Sequence, residues 1–354
     1  MTTKILIRRV LLAPITALHA VVLYLRHWAY DFRIKKSRKG SLPTLVIGNL
    51  HAGGTGKTPH ASAFLDILSR KLGGIEYVAL LSRGFGRKTR GFFVVEEDTD
   101  WHLVGDEPKL LKLLNPNHHI TVCENRLEGI DAISKKFPQV KVVVLDDGLQ
   151  HRALIPDRSV LLIDSNRPLT NQTLIPSGDL RDLKYRANFF DAWIYTRNSD
   201  KKELPLPPSR KQNEASIRVF SSEMIVENEV EVERVNKSER PRVIAVSGIA
   251  TPEVFMNGLA SKWNVVRRQS YSDHYEFTEK DVKSWVICVK SENLEAIVTT
   301  AKDAVRIKPF KNVLKDVRLE VIPMSVKWHD EEAIDIWVDE WLESTIFVPS
   351  TRTK

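Results

Sequence analysis

The chain has 354 residues, 42% of them hydrophobic and 28% charged, and a formal net charge of +8. Those proportions are ordinary for a globular protein with one large or two average cores, and they argue against a disordered or disulfide-stapled chain. The two cysteines, Cys123 and Cys288, are far apart and form no metal-ligand spacing, which favours a reducing compartment. The positive balance favours an anionic partner, and with no aromatic-basic RNA motif or zinc finger present, nucleic acid is not the expected one.

At the N-terminus, Val10 to Leu25 is nearly all apolar, broken only by Pro14, Thr16 and His19. Arg8 and Arg9 precede the run, and Arg26, Arg33, Lys35, Lys36, Arg38 and Lys39 follow it. It falls short of the ~20 residues that comfortably span a bilayer, and it lacks a signal-peptide cleavage site. Positive charge on both flanks suits a spanning helix poorly. The expectation is a helix on or shallowly in a membrane surface, with Trp28 and Tyr30 at headgroup level and the lysines on anionic lipid. A helix packed on the protein and a single span are the alternatives.

From residue 43 the pattern alternates between strand and helix. Apolar, β-branched runs occur at 43–50, 77–82, 119–123, 141–146, 159–164 and 192–196. Helical patterns fall at 57–72, 107–114, 125–136 and around 181–188. Such alternation predicts a mostly parallel sheet with helices on both faces. Between the first strand and helix stands His51-Ala-Gly53-Gly54-Thr55-Gly56-Lys57-Thr58. Backbone N–H groups in such a loop form a concave anion site, and the next helix aims its positive end at it. Lys57 is placed to reach β/γ-phosphates and Thr58 to offer a hydroxyl to Mg²⁺. The strict pattern has glycine where His51 stands; Gly53 and Gly54 can supply the missing freedom.

Val104-Gly105-Asp106-Glu107-Pro108 opens the helix predicted at 107–114. Its acids are either a dipole-favoured helix start or a general base and metal-shell carboxylate facing the γ-phosphate. The strand 141–146 ends in Asp146-Asp147, the Walker B position, where a carboxylate can hold Mg²⁺ directly or through water. Gly148-Leu149-Gln150-His151-Arg152 follows, unusually polar for a plain turn. Arg83 in a glycine-hinged loop, Arg126 at a helix start, Arg181, and Lys302 with Asp303 are either phosphate contacts or solvated charges.

Lys201 to Gln212, with Pro205, Pro207 and Pro208, reads as a linker. Alternating runs at 216–226 and 229–235, joined at Glu227-Asn228, predict a two-stranded ribbon. A second α/β unit then begins with a strand at 242–247, a helix start at Thr251-Pro252, and a capping box at Thr278 to Asp281. A strand at 295–300 and an amphipathic helix at 330–342 complete it. His274, in Ser272-Asp273-His274-Tyr275, lies in a loop after a strand, where α/β folds collect active-site residues. It can orient a carboxylate for proton abstraction.

Seven motifs together resemble the tetraacyldisaccharide 4'-kinase family, the lipid A 4'-kinases of Gram-negative bacteria. They are GNLHAGGTGKTP (48–59), LSRGFGR (81–87), VGDEP (104–108), DDGLQHR (146–152), SGIATPEVF (247–255), SDHYEFT (272–278) and TTAKDAVR (299–306). Their order matches the family, and the family loop also lacks glycine at the position of His51. The resemblance implies transfer of the ATP γ-phosphate to the 4'-hydroxyl of a membrane-bound tetraacyldisaccharide 1-phosphate in lipid A biosynthesis, on the cytoplasmic side of the inner membrane. It implies Asp106 as general base with His274 assisting, Lys57 on phosphate, and Thr58, Asp146, Asp147 and Glu107 as the Mg²⁺ set. Gly53, Gly54, Thr55 and Gly56 complete the ATP loop, and Arg83, Arg126, Gln150, His151 and Arg181 are candidates for the lipid substrate. Ala301 departs from the acidic residue expected there.

The implied architecture is a P-loop NTPase-like core with a mostly parallel sheet (41–212), an N-terminal membrane helix and basic segment (1–40), a ribbon linker (213–240) and a smaller α/β unit (241–354), whose last helix can pack back on the core. Because Asp106 and His274 fall in different units, closure on ATP binding is expected to assemble them. The rivals are a membrane-surface P-loop ATPase switch, which needs no Asp106–His274 pair, and a P-loop kinase or ligase for a soluble substrate, which leaves the N-terminal anchor unexplained.

Overall fold

The computed structural model describes residues 3–198, 216–226 and 240–347, together with Pro205. Two helices, α1 (Thr3–Leu11) and α2 (Ala13–Asp31), come first. The first unit is built on β1 (Thr44–Asn49), β2 (Val78–Ser82), β3 (Phe93–Val94), β4 (His119–Val122), β5 (Val142–Asp146), β6 (Arg158–Asp164), β7 (Ala192–Thr196) and β8 (Arg218–Val226). Its helices are α3 (Lys57–Leu72), α4 (Trp101–Val104), α5 (Asp106–Leu114) and α6 (Arg126–Lys136). The expected helix near 181–188 is a 3₁₀ segment, Lys184–Phe189.

The second unit comprises β9 (Arg242–Ser247), α7 (Pro252–Gly258), β10 (Asn264–Ser270), α8 (Glu279–Ser291), β11 (Ala296–Thr300), α9 (Ala301–Ile307) and β12 (Arg318–Ile322). The chain then returns to the first unit through β13 (Met324–Trp328) and α10 (Glu331–Thr345). Among the described residues the large sheet has the order β13-β8-β7-β6-β1-β5-β2-β4-β3, and the small one β10-β9-β11-β12. The small sheet is parallel throughout; the large one is parallel except at its edges, where β3 and β13 run antiparallel to their neighbours.

Burial on both faces explains the unbroken apolar strands. In β1, Leu45 and Ile47 face Phe64, Leu65 and Leu68 of α3 and Trp337 and Trp341 of α10. Val46 faces the opposite side, with Val143, Leu145 and α6 residues Leu127, Ile130 and Ile133. The second unit repeats this, with Trp285 of α8 on one face and Phe255 of α7 on the other. Such side chains contribute roughly 1.5–3 kcal/mol each when fully buried.

The strand at 218–226 is not a free ribbon. It extends the large sheet beside β7 and pairs antiparallel with β13. The second ribbon strand expected at 229–235 lies outside the described residues. The two units also meet directly, through packing of α5 on α9.

Candidate active site

The phosphate loop leaves β1 at the middle of the large sheet. Gly53, Gly54 and Gly56 all have positive φ, with values of 77°, 46° and 83°. At Gly54 the need is steric as well: a Cβ would stand 2.9 Å from Thr251 Oγ1 and 3.0 Å from Ala250 Cβ in the second unit. Asn49 organises the loop from inside. Its Nδ2 donates to Thr55 Oγ1 at 2.6 Å, and its Oδ1 accepts from Lys57 Nζ at 3.3 Å. Thr58 is buried in the first turn of α3. His51 is fully buried, and burial lowers its pKa to about 4, so it serves as a neutral wedge. Beside it, Ala52 N donates to Asp179 O at 2.7 Å and Arg181 N to Leu50 O at 2.8 Å, tying the loop to the 179–181 segment.

β5 runs next to β1 and brings Asp146 and Asp147 to the loop. The two carboxylates stand in opposite situations. Asp147 accepts from Arg181 at both oxygens, one of them at 2.9 Å, and lies 3.9 Å from Lys57 Nζ. Burial favours its neutral form, but Lys57, Arg181 and Arg126 outweigh burial and hold it below the usual carboxylate range. Asp146 is fully buried, and neither of its oxygens has a hydrogen-bond partner. Burial, and then the charges of Glu107 and Asp147, raise its pKa to about 7. A buried carboxylate without a hydrogen-bond partner, beside a second acid and only partly offset by the charges of Lys57 and Arg126, fits a cation. No cluster of three or more His, Cys, Asp or Glu forms a metal cage among the described residues.

Asp106 opens α5, and Gly105 before it has φ 97°. A Cβ on Gly105 would meet Phe85 O at 3.0 Å, so glycine lets the 83–87 loop close over this helix start. His274 Nδ1 lies 2.9 Å from Asp106 Oδ2. Burial works to raise Asp106, but the His274 hydrogen bond and the charges of Lys302 and Arg306 prevail and depress it. His274 is raised, chiefly by that same bond. The closure expected to unite this pair is not needed for their contact. α9 already packs on α5, and Lys302 Nζ bridges Glu107 Oε1 at 3.1 Å and Asp273 Oδ1 at 3.3 Å.

Of the other basic candidates, Arg126 is buried and donates to the carbonyls of Cys123 and Asp147, at 2.6 and 3.3 Å. It supports the Walker B turn. Arg181 is likewise engaged, with Asp147 and Asn49. Gln150 Nε2 sits 3.5 Å from Asn49 O. His151 is lowered to about 4 by burial and by Arg126, Arg26 and Arg83, so a positive patch surrounds it. Arg83 is exposed.

Sequence reasoning missed Asn49 and Arg197. Arg197 donates to Gly54 O and, at 2.7 Å, to Asp164, bracing the loop from the end of β7. The signal was a polar residue directly after an apolar strand, which is weak on its own.

A P-loop on a mostly parallel sheet, with a carboxylate of the same unit hydrogen-bonded to a histidine of a second α/β unit, defines a P-loop nucleotide-dependent phosphotransferase. Among such proteins the chain belongs to the tetraacyldisaccharide-1-P 4'-kinase family, whose model matches residues 8–343. It is 30% identical over 349 residues to the tetraacyldisaccharide 4'-kinase of Porphyromonas gingivalis, covering 91% of this chain and 94% of that one. The Chromobacterium violaceum enzyme of the same name is 31% identical over 317 residues, covering 89% and 88%. The fold is similar to the crystal structure of LpxK from Aquifex aeolicus in complex with ATP, with a TM-score of 0.72, 26% identity, and 94% and 99% of the two chains covered.

Proposed function

We propose that this protein transfers the γ-phosphate of ATP to the 4'-hydroxyl of a tetraacyldisaccharide 1-phosphate. The observation that carries the reading is the Asp106–His274 pair held across two units beside the phosphate loop. A phosphate-release switch has no use for a base on the acceptor side. The 4'-oxygen attacks the γ-phosphorus, the bond to the β–γ bridging oxygen breaks, ADP leaves, and the hydroxyl proton passes to Asp106. Its depressed pKa keeps Asp106 ionised at neutral pH. A weak base suffices, because phosphoryl transfer passes through a loose transition state. Lys57 offsets charge on the donor phosphates. Asp146, with Glu107 and Thr58, would hold Mg²⁺, and Asp147 with Arg181 frames that site. A metal bound there would supply positive charge to offset the charge of the donor phosphates.

The membrane side of the reading rests on α2. Thr16, His19 and His27 face the protein, where His19 Nδ1 lies 2.9 Å from Ile175 O and His27 Nε2 2.6 Å from Asp182. Ile15, Leu18, Val22 and Leu25 are exposed at helical spacing, and Trp28 and Phe32 continue the stripe. This helix shows its polar side to the protein and its apolar side outward, the reverse of a soluble surface helix. Among the described residues no helix is long and apolar enough to cross a membrane. α2 therefore suits docking on the cytoplasmic surface of the inner membrane, where an acylated substrate resides. Arg26 and Arg83, whose charges both act on His151, would then suit the anionic disaccharide.

The test offers the protein γ-labelled ATP and Mg²⁺ with the lipid disaccharide in vesicles. Label on the lipid at the 4'-position supports the kinase. Release of free phosphate without lipid labelling overturns it in favour of an ATPase switch.

A further inference from the structure

Lys302 has no task in the reading above. It stands at the start of α9, directly after the C-terminal end of β11. Its side chain is 17% exposed, and its three polar neighbours belong to or adjoin the Asp106–His274 pair. Glu107, adjacent to Asp106, accepts at 3.1 Å, and Asp273, adjacent to His274, accepts at 3.3 Å. The third neighbour is His274 Nε2, at 3.4 Å. Burying an ammonium is costly unless it is paired. An apolar contact between α5 and α9 would dock the units more cheaply, so the charge answers to something other than docking.

The chemistry of the group indicates what. An ammonium has only protons to give. Asp273 Oδ2 at 3.7 Å and Glu107 Oε1 at 4.0 Å also face His274 Nε2, but both lie beyond hydrogen-bond reach and both carboxylates are engaged by Lys302. A bond from Lys302 needs Nε2 as acceptor, which leaves the ring proton on Nδ1, 2.9 Å from Asp106 Oδ2. We propose that Lys302 is a positioning residue for phosphoryl transfer: it holds the Asp273–His274 loop on the Asp106–Glu107 helix start and fixes His274 in the Nδ1–H tautomer that orients the Asp106 carboxylate. The proposal rests on the kinase reading and adds a residue to it. Arg306 does a separate job beneath. It pairs with Asp303 at 2.5 Å and donates to the carbonyls of Gly248 and Tyr275 at 3.0 and 3.1 Å, which secures the base of the same loop. Lys302 secures its tip.

The experiment uses the full chain with lipid disaccharide vesicles and Mg²⁺–ATP. Lys302→Met is measured in the wild-type background and in a His274→Ala background. Misplacement of a catalytic group by about 1 Å can cost on the order of a hundredfold, so the expected loss in kcat is about 10- to 100-fold. The KM for ATP should stay within about twofold, because the phosphate loop is untouched and uniform binding is unchanged. With His274 absent, Lys302→Met should cost less than about threefold, since residues acting as a unit are non-additive. Lys302→Arg, which keeps the charge, should recover part of the rate. Equal losses in both backgrounds, or a wild-type kcat for Lys302→Met, overturn the proposal. Should the variant fail to fold, ¹⁵N-histidine spectra of the unmutated protein decide, with the His274 signal assigned by its loss in His274→Ala. An unprotonated Nε2 is expected, and a protonated Nε2, in the neutral Nε2–H tautomer or in the imidazolium, overturns the proposal. Absence of lipid phosphorylation by the unmutated enzyme would instead count against the kinase reading, and the spectra do not depend on it.

Discussion

Arg181 grips both carboxylate oxygens of Asp147, while the adjacent Asp146 carboxylate has no hydrogen-bond donor at either oxygen. In the proposed site the two Walker B acids thus divide into frame, Asp147, and metal ligand, Asp146. Asp146→Asn should lower kcat by at least about a hundredfold, in keeping with loss of charge placed for the transition state. It should also raise the melting temperature of the protein without nucleotide or metal, because an unpaired buried charge is removed. Asp147→Asn should do the reverse to stability, since it breaks a charge-assisted pair worth about 1.5–3 kcal/mol. Calorimetry of both variants checks this. A lower melting temperature for Asp146→Asn, with Asp147→Asn unchanged, would assign the roles the other way.

The Asp106–His274 contact predicts a split between chemistry and binding. Asp106→Asn should reduce kcat by about 10²–10⁴, the usual worth of a positioned base. His274→Ala should cost less, because Asp106 keeps its ionised form. Neither should change the KM for ATP by more than about threefold, since neither residue touches the phosphate loop. Steady-state kinetics with ATP and lipid varied independently provide the check. Near-normal turnover of Asp106→Asn would remove Asp106 as the base.

How much of this was legible beforehand depended on sequence distance. β1, β5 and α3 were readable because apolar runs and the glycine loop are local signals, and α3 begins at Lys57 as the loop demanded. The capping box at Thr278 is also local, and both of its hydrogen bonds form. Thr251 stands at the N-cap of α7 but makes no capping bond; its hydroxyl lies against Gly54 instead. The pairs that set the site's electrostatics span long stretches of chain: Arg181 to Asp147, Lys302 to Glu107, Arg197 to Gly54. No periodicity reports such pairings. β13 escaped notice because five residues after a proline carry little pattern, and its partner is β8, about a hundred residues earlier.

The exposed stripe on α2 predicts a loss confined to the membrane. Leu18→Glu with Val22→Glu leaves His27–Asp182 and the other inward contacts of α2 in place. Two fully buried apolar side chains are worth about 3 kcal/mol or more, which is roughly a hundredfold in partitioning. Co-sedimentation with anionic vesicles should fall accordingly, and activity on bilayer-embedded substrate with it. Turnover of detergent-solubilised substrate should stay within about twofold. Undiminished vesicle binding would show that α2 is not the docking surface.

Acid should destabilise the phosphate-loop helix through His60. This residue is fully buried in α3, with Nδ1 2.7 Å from Gly56 O and Nε2 2.9 Å from Ser222 Oγ. The carbonyl requires a proton on Nδ1, so Nε2 accepts from the serine and the ring is neutral. Burial lowers its pKa from 6.5 to about 4, against a smaller opposing effect of the Gly56 carbonyl. Between those values the unfolded chain binds the proton and the folded chain does not. Stability from this group is complete above about pH 6.5 and is lost as pH falls toward 4. At 1.36 kcal/mol per unit, the whole loss is about 3 kcal/mol. Because His60 joins α3 to β8, the loss falls on the element that holds Lys57 and Thr58. His60→Gln retains a donor and an acceptor without the titration. The denaturant midpoint of the wild type should therefore drop between pH 6.5 and 4 more steeply than that of the variant, and parallel curves would show that His60 does not carry the acid sensitivity.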